Sequence, residues 1–234
     1  MFFSAQSASL CTVLQVSGRP EKGLDFDPGP SYAQFEVYKN AVYNEADFVL
    51  DDDYKTAKKV AEDNLNRIIN QMPSSLVRRE GEIFAKLRVS KESYFKKLEM
   101  LYAFLDDLYS FIGKFIPCRR GCDYCCYIKI SISSLEAEYI ESNLGMRRNP
   151  NCDKKEFLGT PCPFLDDSAC SIYKYRPYVC RRHLALFDNP KWCQLDLCDK
   201  YKFPQIRCTE VDKSYHFIVM TSGAGSLYDI RQLF

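Results

Sequence analysis

The sequence predicts a mainly α protein with a small irregular α+β part, in which an N-terminal helical hairpin arm leads into a cysteine-rich, loop-dominated metal-binding module. Three observations carry that expectation. Apolar residues recur at helical spacing between Asp51 and Phe115. Of the 12 cysteines, only Cys11 precedes residue 117. Among the remaining cysteines the apolar stripes are short and broken by proline, glycine and charge, as loops require.

At 46% apolar and 27% charged, the 234 residues have the composition of a globular chain, which excludes global disorder and collagen-like repetition. Thirty-two basic against 31 acidic side chains give a formal charge of +1, so no overall field draws the chain to nucleic acid or to an anionic membrane, and neither partner is evident. The first basic residue is Arg19, so the opening stretch lacks the charged start of a signal peptide. No apolar run approaches the ~18 residues of a membrane span. A cytoplasmic location is therefore expected. Twelve cysteines are many for such a location but too sparse for a secreted disulfide scaffold, and reducing surroundings keep thiols available to metals.

These shifts divide the chain into an irregular N-terminal segment (1–50), a helical arm (51–116), the cysteine module (117–208) and a C-terminal strand or tail (209–234). Residues 19–32 hold three prolines and two glycines and read as loop. After the acidic run Asp51, Asp52, Asp53, which suits a helix N-terminus, the stripe Ala57, Val60, Ala61, Leu65, Ile68, Ile69 and Met72 predicts an amphipathic helix ending at Pro73. From Ser90 onward, Tyr94, Leu98, Leu101, Leu105, Leu108, Ile112 and Phe115 alternate steps of four and three, the seam of a coiled-coil-like pairing. Packed on each other, the two helices form an antiparallel hairpin; the same seam would also serve a homodimer.

The module opens with Cys118, Cys122, Cys125 and Cys126. Thiols two or three residues apart can turn inward on a tight loop and chelate one soft metal, with Gly121 allowing the turn, whereas the vicinal Cys125 and Cys126 are expected to point apart. The doublet thus hints at two centres, or at one centre and a further thiol. Ile128, Ile130 and Ile132 alternate as in a short strand. Ser133 and Glu136 then form a capping box for a helix through Leu144, closed by Gly145. Further on come Cys162, the Asp166-Asp167 pair expected on an exposed turn, Cys170, and Pro177, which can open a short helix carrying Cys180 and Arg181. Cys193 and Cys198 trail behind. Cys11, Cys152 and Cys208 read as buried structural thiols.

The closely spaced thiols ending in Cys125-Cys126, the Ser133/Glu136-headed helix, then Cys162-Pro163-Phe164-Leu165, Cys170-Ser171-Ile172-Tyr173 and Arg176-Pro177-Tyr178-Val179-Cys180-Arg181 together resemble the YkgJ-type cysteine cluster family, CxxCxxCC-type and described as zinc- or iron-chelating. The likeness spans roughly residues 117–184. It implies metal ligands among Cys118, Cys122, Cys125, Cys126, Cys162, Cys170 and Cys180; in an enzyme, Arg181 or Arg182 would steer an anionic group beside the bound cofactor. The chain departs from the family in a first gap of three residues rather than two and in Arg182-His183 after Cys180. A catalytic relative, the flagellin lysine N-methylase, is similar through the cysteine segment alone.

Four thiolates suit both zinc and an iron-sulfur cluster. Seven candidate thiols exceed the demand of one tetrahedral zinc, and Cys162-Pro163 resembles the proline beside a ferredoxin ligand, so an iron-sulfur cluster is the preferred cofactor and zinc the other. Arginines 119, 120, 181 and 182 would stabilise its negative charge. As an enzyme the module would apply its centre to redox or methyl-transfer chemistry on a small substrate; as a zinc-stabilised interaction module it would present the arm to a protein partner. Cys118-x3-Cys122-x-Tyr124-Cys125 also satisfies a radical SAM signature, but a long helix precedes it where that fold places a strand. Gly223-Ala-Gly225 reads as an ordinary loop rather than a nucleotide-binding turn.

Overall fold

The structure, a computed structural model, describes residues 52–149, 157–198 and 200–234. Cys11, Cys152 and the expected irregular N-terminal segment lie outside the described residues.

The arm contains three helices rather than two: α1 (Asp52–Gln71), α2 (Ser74–Val89) and α3 (Tyr94–Ile112). Asp52 and Asp53 sit in the first turn of α1, against the positive end of its dipole. Pro73 ends α1 as expected but is also the residue from which α2 starts, with Leu76, Ile83 and Leu87 buried along one face. The Ser93 side chain caps α3 by accepting from the Lys96 N–H, and Leu98, Leu101, Leu105, Leu108 and Ile112 form its buried stripe. After α3 come a 3-10 turn (Gly113–Phe115) and a second (Tyr124–Cys126), then strand β1 (Ser131–Ser133) and helix α4 (Ser134–Leu144). Both halves of the Ser133/Glu136 capping box are present, and Gly145 closes α4 at φ 65°, a left-handed conformation that glycine adopts without strain.

A two-residue-strand hairpin, β2 (Leu165–Asp166) and β3 (Ala169–Cys170), leads through a 3-10 turn (Tyr173–Tyr175) to α5 (Tyr178–Arg182). A further 3-10 turn (Pro190–Cys193) and α6 (Leu195–Cys198) complete the cysteine half. The segment 209–234, expected as a strand or tail, is mostly helical: α7 (Thr209–Thr221), β4 (Leu227–Asp229) and α8 (Ile230–Leu233). Val211, Tyr215, Ile218 and Val219 give α7 a buried face, and Glu210 and Asp212 occupy its first turn. Strand β4 runs antiparallel to β1, with Ile132 opposite Tyr228, so the chain end returns to the segment that follows the first four thiols.

The buried residues form two clusters. The larger joins α1, α2, α3 and α7 to residues 178–193. Helix α7 packs on both α2 and α3, and α3 also packs on α5. Helix α1 is tied to the cysteine half: the Tyr54 ring meets Trp192, Tyr201 and Phe203, and Asn64 Nδ2 donates to the Leu186 carbonyl at 2.8 Å. Ile218 is fully buried at the α2, α3 and α7 junction. Ile218→Ala should therefore cost about 2–5 kcal/mol of stability in urea unfolding while leaving metal content unchanged.

The smaller cluster consists of Ile130, Ile132, Ala137, Ile140, Cys162, Phe164, Ile172, Ile230 and Leu233. Glu136, 1% exposed, stands where the two clusters meet. Its Oε1 accepts from the Tyr102 hydroxyl at 2.8 Å and the Tyr178 N–H at 2.7 Å. Its Oε2 accepts from the Tyr215 hydroxyl at 2.6 Å and the Ser133 N–H at 2.9 Å. Tyr178 and Tyr215 stack at 4.0 Å across it. No helix among the described residues is long and apolar enough to cross a membrane.

Candidate metal centre

The first four thiols follow α3 on a loop whose bends are fixed by the backbone. The Tyr109 hydroxyl donates to the Cys118 carbonyl, and the Cys122 N–H donates to the Arg119 carbonyl at 3.0 Å. Gly121 completes that bend at φ 90°, where a side chain would be strained. Cys125 and Cys126 share one 3-10 turn, closed by Cys126 N–H to the Asp123 carbonyl at 2.7 Å. Three residues per turn set successive side chains roughly 120° apart. The vicinal thiols are therefore not opposed, as expected from their spacing, but interact: Cys126 hydrogen-bonds Cys125 and holds that thiol down at about 7, while Cys126 itself is raised.

Cys162 is docked on this turn by its N–H, which donates to the Cys126 carbonyl at 2.8 Å. The β2–β3 hairpin then reverses through Asp167 and Ser168, both at positive φ (44° and 54°), and sets Cys170 opposite Leu165. Asp166 and Asp167 are exposed on that turn, as expected. Pro177 precedes α5 and places Cys180 in the middle of that short helix. The chain end clamps the assembly. Arg231, paired with Asp229 at 2.9 Å, donates through Nη2 to the Cys126 carbonyl at 2.7 Å and the Ile128 carbonyl at 3.0 Å, and through Nε to the Thr160 carbonyl at 2.8 Å.

The thiols fall into two groups. Cys162 is part of the smaller apolar cluster, and Cys126, Cys170 and Cys180 pack against it. Cys193 belongs to the larger cluster, and Cys118 packs against that one. All ten cysteines among the described residues are free thiols. Cys208 is buried in the larger cluster.

Several sulfurs already receive backbone hydrogen bonds that favour a thiolate. The N–H of the residue two positions on reaches Cys122, Cys162 and Cys170 from Tyr124, Phe164 and Ile172, and Ala185 N–H reaches Cys118. Burial nevertheless pushes all four thiols up, and it pushes Cys180 well up, with Cys125, Cys162 and Cys170 adding like-charge repulsion there. Among the described residues, no group of three or more histidine, cysteine, aspartate or glutamate side chains stands in an arrangement that could hold a metal ion.

Of the expected arginines, Arg181 favours the Cys170 thiolate and Arg119 the Cys122 thiolate through their charge, while the polar contacts of Arg181 and Arg182 lie on other groups. Arg181, 3% exposed, donates to Asp106 and to the carbonyls of Arg176 (2.9 Å) and Lys174 (2.5 Å), and lies over the Tyr102 ring. Arg182 pairs with Asp212 at 2.9 Å. On a helix, residues following Cys180 rotate away from the face that Cys180 presents, which accounts for both. Arg119 and Arg120 are exposed. Arg176 joins them: its charge favours the Cys125, Cys170 and Cys180 thiolates, its guanidinium lies 4.1 Å from the Tyr173 ring, and its buried Nε has no hydrogen-bond partner. The Arg-Pro pair ahead of Cys180 was its only mark in the sequence, and Arg231 had none. His183, the histidine nearest the thiols in sequence, is exposed.

Sulfur-rich loops are thus docked on each other and lined by backbone N–H groups. Residues 117–199 match the CxxCxxCC family, described as "Putative zinc- or iron-chelating domain". No curated protein and no solved structure matches the chain.

Proposed function

We propose that the chain binds an iron-sulfur cluster through Cys126, Cys162, Cys170 and Cys180. The observation that carries this reading is the convergence of those four thiols, from three separate segments, on one small apolar cluster. Thiolates so placed repel one another and are poorly solvated, so only a bound cationic centre can hold all four deprotonated. The donor set is all sulfur, which suits iron-sulfur clusters and zinc alike and excludes hard cations such as magnesium. Backbone N–H groups at Cys162 and Cys170, the Arg176 charge and its unpartnered Nε–H supply the hydrogen bonds and positive charge that favour an anionic cluster over neutral surroundings. An iron-sulfur cluster held there supplies electron-transfer or Lewis-acid chemistry. The residues of this chain orient the sulfurs, exclude water through Ile130, Ile132, Phe164 and Ile172, and set the local charge. Such a centre belongs in a reducing, cytoplasmic setting.

The test is metal content in protein prepared anaerobically with iron available. Cys170→Ser should lose most of the metal held at this site, because a hydroxyl replaces a soft thiolate poorly, whereas Cys208→Ser should match the wild type. Full retention by Cys170→Ser would place the centre elsewhere. Arg176→Gln should keep the fold and weaken metal binding by about 10- to 100-fold in competition with a chelator, the usual effect of removing a supporting hydrogen-bond partner.

A further inference from the structure

Two thiol-bearing segments are fastened to each other by a residue outside the matched stretch 117–199. Residues 126–128 and 159–162 lie side by side: the Cys162 N–H donates to the Cys126 carbonyl at 2.8 Å, and the Gly159 N–H to the Tyr127 carbonyl at 3.0 Å. Arg231 spans the same two segments. Its Nη2 donates to the Cys126 and Ile128 carbonyls at 2.7 and 3.0 Å, and its Nε to the Thr160 and Pro161 carbonyls at 2.8 and 3.3 Å. Its Nη1 is taken by both oxygens of Asp229, at 2.9 and 3.2 Å. Only a guanidinium offers a rigid fork of donors that can serve two backbone segments and a carboxylate at once. The fork is held in turn by its own segment. Strand β4 pairs with β1, the Ile230 N–H donates to the Ile130 carbonyl at 2.9 Å, Ile230 and Leu233 are buried in the smaller cluster, and the Phe234 ring meets the Phe164 ring at 5.2 Å.

We propose that Arg231 is the positioning residue of the thiolate site: it holds Cys126 and Cys162 in register before metal arrives, and residues 227–234 are thereby a working part of the chelating module although the family match ends at residue 199. The inference rests on the thiolate-centre reading above. Among the described residues no three ligating side chains stand arranged around a metal, so binding has to draw thiols together. Two segments already in register leave less ordering to be done, which is where a preorganised site gains affinity. The hydrogen bonds of Arg231 go to backbone oxygens and to Asp229, so it acts through the backbone of the thiol-bearing residues rather than on their sulfurs. The Arg231 and Asp229 side chains are 3% and 8% exposed, and in such surroundings an unmade hydrogen bond is costly, which enforces the geometry of the fork.

Cobalt(II) titration of the metal-free, reduced full-length chain tests this role, with thiolate-bound cobalt followed by its visible absorption. Arg231→Gln should bind cobalt about 10- to 100-fold more weakly than the wild type, the usual effect of losing a supporting partner. Arg231→Lys keeps the charge opposite Asp229 but not the fork, so it stays measurable should Arg231→Gln fail to fold, and it should not restore the affinity. Ile218→Ala loosens the larger cluster instead and should bind cobalt as the wild type does, which separates positioning from a general loss of stability. In the metal-free chain, a brief iodoacetamide pulse should label Cys126 and Cys162 faster in Arg231→Gln, with Cys208 unchanged. Wild-type affinity in both Arg231 variants, or an equal loss in Ile218→Ala, would overturn the role of Arg231 and leave the thiolate reading intact. If the wild type shows no thiolate-bound cobalt, that reading fails instead, and unchanged labelling of Cys126 and Cys162 would then overturn the positioning role as well.

Discussion

Glu136→Ala should destabilise the chain by about 4 kcal/mol or more, a large part of the roughly 5–15 kcal/mol by which a domain is stable. The carboxylate accepts from Tyr102, Tyr215, the Tyr178 backbone and the Ser133 backbone, all at 2.9 Å or less. Alanine removes the acceptor of five buried donors, the Ser133 hydroxyl at 3.0 Å being the fifth, and only the Tyr215 hydroxyl keeps another, Ser133 Oγ at 3.5 Å. An orphaned buried donor costs about 1–3 kcal/mol, so four at the low end give the stated figure. The two tyrosines cannot relieve the loss by ionising, because burial, the largest cause of their raised hydroxyls, persists in the variant. Since Glu136 ties α3, α4, α5 and α7 together, the loss should appear as one cooperative shift in urea unfolding. Glu136→Gln, which keeps one acceptor oxygen, should lose less. A change below about 1 kcal/mol in the alanine variant would show that these bonds are replaced by water.

Stripping the metal by chelation under reducing conditions should open residues 118–183 to protease and leave most of the helical signal intact. The two apolar clusters differ in size, and that difference decides the outcome. The larger one buries Leu87, Leu98, Leu101, Phe104, Ile112 and Ile218 between long helices and needs no metal. The smaller has nine buried residues spread over loops, two short strands and short helices. Cores of that size usually need a staple, and here the thiolate centre supplies it. Simultaneous loss of helix and protease resistance would mean that the shared packing of α1 with Trp192 and Phe203 couples the two parts completely.

Local rules explain which parts could be read from the sequence. The stripes of α1 and α3, the Ser133/Glu136 box with Gly145, and Pro177 before α5 each depend on residues within a turn or two, and each stands where its spacing placed it. Helix α2 escaped notice because Gly81 and its charged residues dilute a stripe that still reads Leu76, Ile83 and Leu87. Helix α7 was masked by an expected strand, although Val211, Tyr215 and Ile218 follow a helical step behind two acidic residues. Pairing of β1 with β4 joins residues about a hundred positions apart, and nothing local announces it. The candidate thiols were legible as a set but not as two groups. Their division follows from which apolar cluster each loop docks on, and the same tertiary placement put Cys193 in the larger cluster and added Arg176 to the charges beside the thiols.

Iron, acid-labile sulfide and zinc, measured together on protein purified without oxygen from iron-supplied cells, test the central claim most directly. A cluster on Cys126, Cys162, Cys170 and Cys180 predicts brown protein with iron and sulfide in matching amounts, bleached by dithionite or by air. Colourless protein carrying stoichiometric zinc and no sulfide would contradict it, since zinc has no redox chemistry to bleach.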